Sequence, residues 1–332
     1  MKKAILFLLS LFLGTCLSIE VYRAIGWTEI KNFIVNFNLQ QGLVILGLTL
    51  LITLIGALKW HEILKGEGAS LSFFDTSKSY LAGHSIIFLA PALFLGGEFI
   101  RAYILKQKNS IAWSKSAASI IIDRVLEWSI NLVVIIIGLI AFFSKVFLLP
   151  VNLTLLFGGL ILFFIVILTL FYTKVLKKES LVASLSKLFN RDLNGGPQEI
   201  EKEIFSFFNI RNRAMWKAGA LSLLRMLVMY LRTFVLIVFL KQPINIWCAL
   251  PVLCFSLLAL AVPIPAGAGS HELAQVFAFK ALGFSVPSAT VFAIIIRIAE
   301  ATIALIGLII LSRLGITLLK NYLLKGENGK NK

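Results

Sequence analysis

The stretch Ala90–Lys106, APALFLGGEFIRAYILK, decides how the rest of the chain is read, because it sets a proline, two glycines, a glutamate and an arginine inside an apolar run. Hydrocarbon offers no partner to a broken backbone or to a charge. Such residues persist in a membrane only where the chain turns back against protein or faces a wet interior. The surroundings are of membrane type: 59% of the 332 residues are hydrophobic, 14% are charged, and the mean hydropathy is +0.92. The longest polar stretch, Lys174–Lys217, is too short and too charged to bury a core of its own. An all-α polytopic integral membrane protein follows.

Apolar runs long enough to cross a bilayer fall at 4–19, 41–59, 118–144, 152–172, 216–240 and 287–312, about six full spans. For the first, an uncleaved helix is favoured over a signal peptide. Two further apolar regions, 79–98 and 245–284, are broken by Pro and Gly. The formal charge of +16 does not point to nucleic acid, because most Lys and Arg lie in loops beside apolar runs. With Lys2 and Lys3 placed in the cytoplasm, the positive-inside rule puts the segment Lys59–Lys115, the loop 173–215 and the tail 313–332 there too. Only Arg23, Lys31, Lys145 and Lys241 face outward, and both termini are cytoplasmic. Parity then requires 79–98 and 245–284 each to return to the side they leave, as re-entrant hairpins or pairs of short helices. The segment Glu199–Ile210 reads as an amphipathic helix on the cytoplasmic surface.

The two broken regions resemble each other. Pro91 precedes Glu98 by seven positions with Gly96 and Gly97 between; Pro265 precedes Glu272 by seven with Gly267 and Gly269 between. Farther on, IIIDRVLE (Ile120–Glu127) and IIIRIAE (Ile294–Glu300) both place an Arg three positions before a Glu, as Arg124 with Glu127 and Arg297 with Glu300. The coincidence of both halves indicates an inverted repeat, 41–144 and 216–312, joined by the span 152–172 in a single membrane domain. Inverted repeats around broken helices point to a transport site near the midplane.

A charge at the bilayer centre costs about 2.5–3.5 kcal/mol on insertion scales, so intramembrane charges mark sites. The candidates for binding a lipid head group are Glu98, Arg101, Arg124, Glu127, Glu272, Arg297 and Glu300, with Asp123 beside them, and the helix breakers are Pro91, Gly96, Gly97, Pro265, Gly267 and Gly269. Arg suits phosphate because its planar fork engages two oxygens at once. Internal ion pairing is the plainer reading for any one of these residues. His271 beside Glu272 invites an acid–base role, but neighbours on a helix point about 100° apart, so no catalytic residue is assigned. The three cysteines, Cys16, Cys248 and Cys254, lack metal spacing, and no metal or cofactor is expected. No G-x-x-x-x-G-K-[ST], H-E-x-x-H or G-x-S-x-G occurs.

The motif P-x4-G-G-E-x-x-R from Pro91 to Arg101, Asp123-Arg124-x-x-Glu127, and PIPAGAGSHE (Pro263–Glu272) with the later Arg297 resemble the transmembrane flippase region of lysylphosphatidylglycerol synthases. The likeness runs over about 5–315. The family's helical Glu-Arg-x-x-Asp stands here with its acids exchanged, and Ala266 and Ala268 flank Gly267 where a Gly pair is commoner. The resemblance implies translocation of an anionic or modified phospholipid, or a lipid-linked head group, across the cell membrane through a polar cavity between the two hairpins. Arg124 and Arg297 would bind phosphate, and Arg101 would guide it at the cytoplasmic mouth. Glu98 and Glu272 would orient those arginines or meet a head-group amine. The synthases' aminoacyl-transfer domain is not expected in this chain. A membrane enzyme of the phosphatidylglycerol lysyltransferase type and a scaffold for a separate lipid-modifying enzyme remain as alternatives. The expected partner is a membrane phospholipid or lipid-linked substrate, with a separate lipid-modifying enzyme and self-association left open.

Overall fold

The computed structural model describes residues 37–89, 96–109, 111–144, 151–180, 195–243, 245–260 and 264–328, with isolated positions among the first 36 and at 182 and 262. Helix α1 is Leu39–Gly66, α2 Phe73–Leu89, α3 Gly96–Asn109, α4 Trp113–Phe143, α5 Val151–Lys177, α6 Gly196–Phe207, α7 Arg213–Phe239, α8 Ala249–Leu260, α9 Ser270–Ala281 and α10 Val286–Asn328. There is no strand among the described residues. Helices α1, α4 and α7, with α10 as far as Gly315, are each apolar and long enough to cross a bilayer. The 27 residues of α5 enclose the expected span 152–172. The expected first span, Pro91 and the centre of the first break lie outside the described residues or at isolated positions.

Local chemistry sets the starts of the central helices. The Asn38 side chain accepts from Gln41 N at 2.8 Å while the Gln41 side chain accepts from Asn38 N at 3.1 Å, a reciprocal cap on α1. Asn212 caps α7 by accepting from Ala214 N at 3.0 Å. Helices α1 and α7 pack along each other, with the first-half pair α2–α3 beside α1 and α4, and the second-half pair α8–α9 between α4 and α10. The long helix α10 lies along α2, and the Pro265–Gly267 turn also abuts α2, so each half touches the other's broken region.

Glycine sets the closeness of α2 and α3. A Cβ at Gly97 would collide with Gly83 O and the Ile87 side chain, and one at Gly83 would collide with Arg101 and Gly97 O. Gly97, named above as a helix breaker, lets two short helices meet without an intervening side chain, as small residues do between membrane helices. The amphipathic α6 turns apolar residues onto the protein. Its Ile204 and Phe207 are buried with Ile63, Ala118 and Ile122 against the ends of α1 and α4.

Candidate functional site

The first charged cluster is built on four helices. From α3 come Glu98 and Arg101, from α4 Asp123, Arg124 and Glu127, from α1 Lys59, and from α7 Arg225. Its floor is sealed: the side chains of Lys59, Arg101 and Asp123 are each 1% exposed. Both terminal nitrogens of Arg101 donate to Asp123 Oδ2 at 3.1 Å, and Lys59 Nζ lies 2.7 Å from Asp123 Oδ1. The Arg101 guanidinium also lies 4.0 Å from the Trp60 ring centroid and 4.7 Å from that of Tyr80. Two aromatic faces replace part of the water that a buried guanidinium gives up. Arg101, expected to guide a head group at the cytoplasmic mouth, is engaged by Asp123 and covered by these two rings.

Above this floor the groups are more accessible. Arg124 Nε is 3.2 Å from Glu98 Oε1, and Arg124 donates to Glu127 Oε2 at 3.1 Å, with the Arg124 side chain 29% exposed. Arg225 donates to the other oxygen, Glu127 Oε1. Four cations and three carboxylates leave the cluster one positive charge in excess.

The second cluster is smaller. Pro265–Gly267 forms a tight turn in which Ala266 (φ 52°), Gly267 (φ 62°) and then Gly269 (φ 75°) adopt left-handed conformations. Two of the turn's amides are satisfied within it: Gly267 N donates to Ile264 O at 2.9 Å and Ala268 N to Pro265 O at 3.0 Å. Glu272, in the first turn of α9, accepts from Gly269 N at 3.0 Å and is fully buried. Arg297 of α10 donates to both Glu272 and the carbonyl of Gly267, so it fastens the break to the long helix. Glu300 shares a face with Arg297, yet its partner is Arg232 of α7, at 3.2 Å. Arg232 also donates to Thr49 Oγ1 of α1 at 3.1 Å.

The wiring of the two clusters corresponds residue by residue. Arg124 takes the hairpin acid Glu98 as Arg297 takes Glu272, and Glu127 takes Arg225 as Glu300 takes Arg232. Helix α7 is the shared member. Sequence reasoning missed the roles of Lys59, Arg225 and Arg232 in this wiring. The two arginines had a signal, seven residues apart on one face of an apolar run. Lys59 was read as the cytoplasmic end of the run 41–59, whereas α1 continues past it to Gly66 with Trp60, Ile63 and Leu64 buried.

Two small clefts lie beside the clusters. One, of about 10 Å³, is lined by Lys59, Glu127, Ser222, Arg225, Met226 and Met229 among others. The other, of about 20 Å³, has Met229, Arg232, Ser256, His271 and Glu300 in its wall. Each has room for roughly one water. No group of three or more metal-ligating side chains occurs among the described residues.

The comparisons agree with this architecture. A UPF0104 membrane protein of the archaeon Methanocaldococcus jannaschii is 26% identical over 304 residues, covering 88% of each chain. A UPF0104 membrane protein of Pyrococcus horikoshii is 32% identical over 75 residues, 22% of each chain. The model of the lysylphosphatidylglycerol synthase TM region matches residues 4–307. Since that match takes in both charged clusters and the helices that join them, the chain belongs to the lysylphosphatidylglycerol synthase transmembrane-region family and is a multi-pass membrane protein.

Proposed function

We propose that this protein translocates an anionic or modified phospholipid, or a lipid-linked head group, between the leaflets of the cell membrane, with both termini in the cytoplasm. The observation that carries the reading is the paired wiring: an arginine held by a hairpin carboxylate in each half, with both halves fastened to α7. Buried ion pairs bring little net stability, since desolvation offsets their attraction. Two matched sets within membrane helices are better explained by a charged ligand than by folding alone.

In this reading the head-group phosphate takes the place of a carboxylate on Arg124 or Arg297, whose forks suit two phosphate oxygens. The released Glu98 or Glu272 meets a head-group amine where one is present. The acyl chains stay in lipid. Arg101, Asp123 and Lys59 act as positioning residues that hold α3 and α4 in register under the Arg124 site. The clefts are too small for a phosphate, so the conformation described is closed, and translocation requires the hairpins to part from α4 and α10.

The test is reconstitution. Vesicles holding the wild-type protein move labelled phospholipid between leaflets, and folded Arg124→Ala and Glu98→Ala proteins move it at least tenfold more slowly. Wild-type rates in both variants would rule the reading out.

A further inference from the structure

Among the described residues, Met229 alone lines both clefts. It lies on α7 four residues after Arg225 and three before Arg232, so the three side chains share one helical face. Seven residues at 1.5 Å each set the two arginines about 10 Å apart along the axis. Arg225 is held by Glu127 of the first half and Arg232 by Glu300 of the second. On each arginine the Nε is buried without a hydrogen-bond partner, leaving a donor that neither carboxylate uses.

We propose that Met229 is the gate between two anion stations on α7, Arg225 and Arg232, and that the phosphate of the translocated lipid crosses at this side chain in passing from one half of the protein to the other. The inference rests on the translocation reading and deepens it. At each station the phosphate replaces Glu127 or Glu300 as the arginine's anionic partner, so no buried guanidinium is left without a counter-charge during the exchange. The unused Nε donor gives the guanidinium an edge for a second phosphate oxygen.

The residue between the stations has to yield and must not hold the anion. Methionine meets both needs: it is unbranched with three rotatable bonds, so it swings aside at small cost, and it offers no donor to a phosphate. A polar residue here would form a third station and retain the ligand. The clefts that Met229 lines, of about 10 and 20 Å³, have room for roughly one water each and none for a phosphate, which is the closed position of the gate.

The experiment uses the full chain in vesicles of phosphatidylethanolamine and phosphatidylglycerol carrying a trace of head-group-compatible, chain-labelled phosphatidylglycerol or phosphatidylethanolamine. Leaflet exchange is followed by quenching the outer label, and binding of short-chain phosphatidylglycerol by native mass spectrometry. Met229→Trp should slow exchange tenfold or more and Met229→Ala should speed it, while both bind the short-chain lipid as the wild type does. Met229→Phe gives an intermediate rate and carries the test if the Trp protein does not fold. Exchange by Met229→Trp or Met229→Phe at the wild-type rate, or slower exchange by a folded Met229→Ala, overturns the gate and leaves translocation standing. A wild-type protein that moves neither labelled lipid overturns translocation, and the gate with it.

Discussion

Beneath the Glu98–Arg124 pair lies a sealed knot of Lys59, Asp123 and Arg101; the equivalent Glu272–Arg297 pair rests on the broken turn itself. The same arginine–carboxylate pairing therefore sits on two different foundations. In the first half a three-member charge network and two aromatic rings fix α3 against α4 and α1. In the second half the clamp is one arginine that holds a carbonyl and a carboxylate of a turn whose backbone is strained at Ala266. The first half has the build of a fixed anchor, and the second of an element that opens when a single guanidinium changes partner.

Removing the central acid on each side tests this contrast with the largest expected effect. Asp123→Asn leaves Lys59 and Arg101 buried with no full counter-charge, which costs about 3–5 kcal/mol. Glu272→Gln leaves Arg297 its bond to Gly267 O and a side chain that is 18% exposed, so the loss is about 1.5–3 kcal/mol. Denaturant or thermal unfolding in detergent reads both. Equal losses would erase the distinction between anchor and hinge.

The first half also carries a buried acid outside the membrane-spanning segments. Glu67, just past the end of α1, has both carboxylate oxygens buried without a hydrogen-bond partner. Burial pushes its carboxyl up to about 9, Glu203 of α6 adds to the rise, and Lys115 opposes it. A raised carboxyl favours the protonated folded state, so its stabilisation is complete below about pH 4.5 and is lost as pH climbs toward 9. Melting temperature measured from pH 5 to pH 9 should fall in the wild type and fall less steeply in Glu67→Gln. Parallel curves would remove Glu67 from the account.

The apolar spans were legible because hydropathy and length are properties of one segment, and the Arg124–Glu127 contact was legible because residues three apart on a helix meet. The pairings of Glu127 with Arg225 and Glu300 with Arg232 join positions 98 and 68 apart. Only the tertiary fold, which brings Glu127 of α4 and Glu300 of α10 beside α7, decides them. Lys59 was hidden for another reason: a single lysine ends an apolar window on paper, but a buried aspartate on a neighbouring helix lets α1 continue. Sequence reading singled the glycines out as helix breakers. Their roles could not be told apart by sequence, since Gly97 serves helix approach and Gly267 and Gly269 serve left-handed backbone.

That division of roles sets the next test. Gly97→Ala drives a methyl into Gly83 O and Ile87, and forced overpacking of this kind costs about 1–3 kcal/mol. Gly83→Ala should act in the same direction, because its Cβ would meet Arg101 and Gly97 O. If both alanine proteins unfold at the wild-type denaturant midpoint, the close approach of α2 and α3 does not hold the first half together.

The smallest effect falls on the second half and carries the opposite sign. Ala266 at φ 52° holds a Cβ where left-handed backbone costs about 1–2 kcal/mol in an L-residue. Glycine there removes the strain but frees the unfolded chain, which takes back about 0.4–1 kcal/mol. Ala266→Gly should therefore stabilise the protein by about 0.5–1 kcal/mol, visible as a small upward shift in unfolding midpoint. The informative readout is what happens to the clamp. A relaxed turn no longer needs Arg297 to hold it in shape, so Glu272→Gln should cost less in the Ala266→Gly background than alone, a coupling that a double-mutant cycle measures. Additive losses would mean that the strain at Ala266 and the grip of Arg297 are independent, and the second half would then be as firmly anchored as the first.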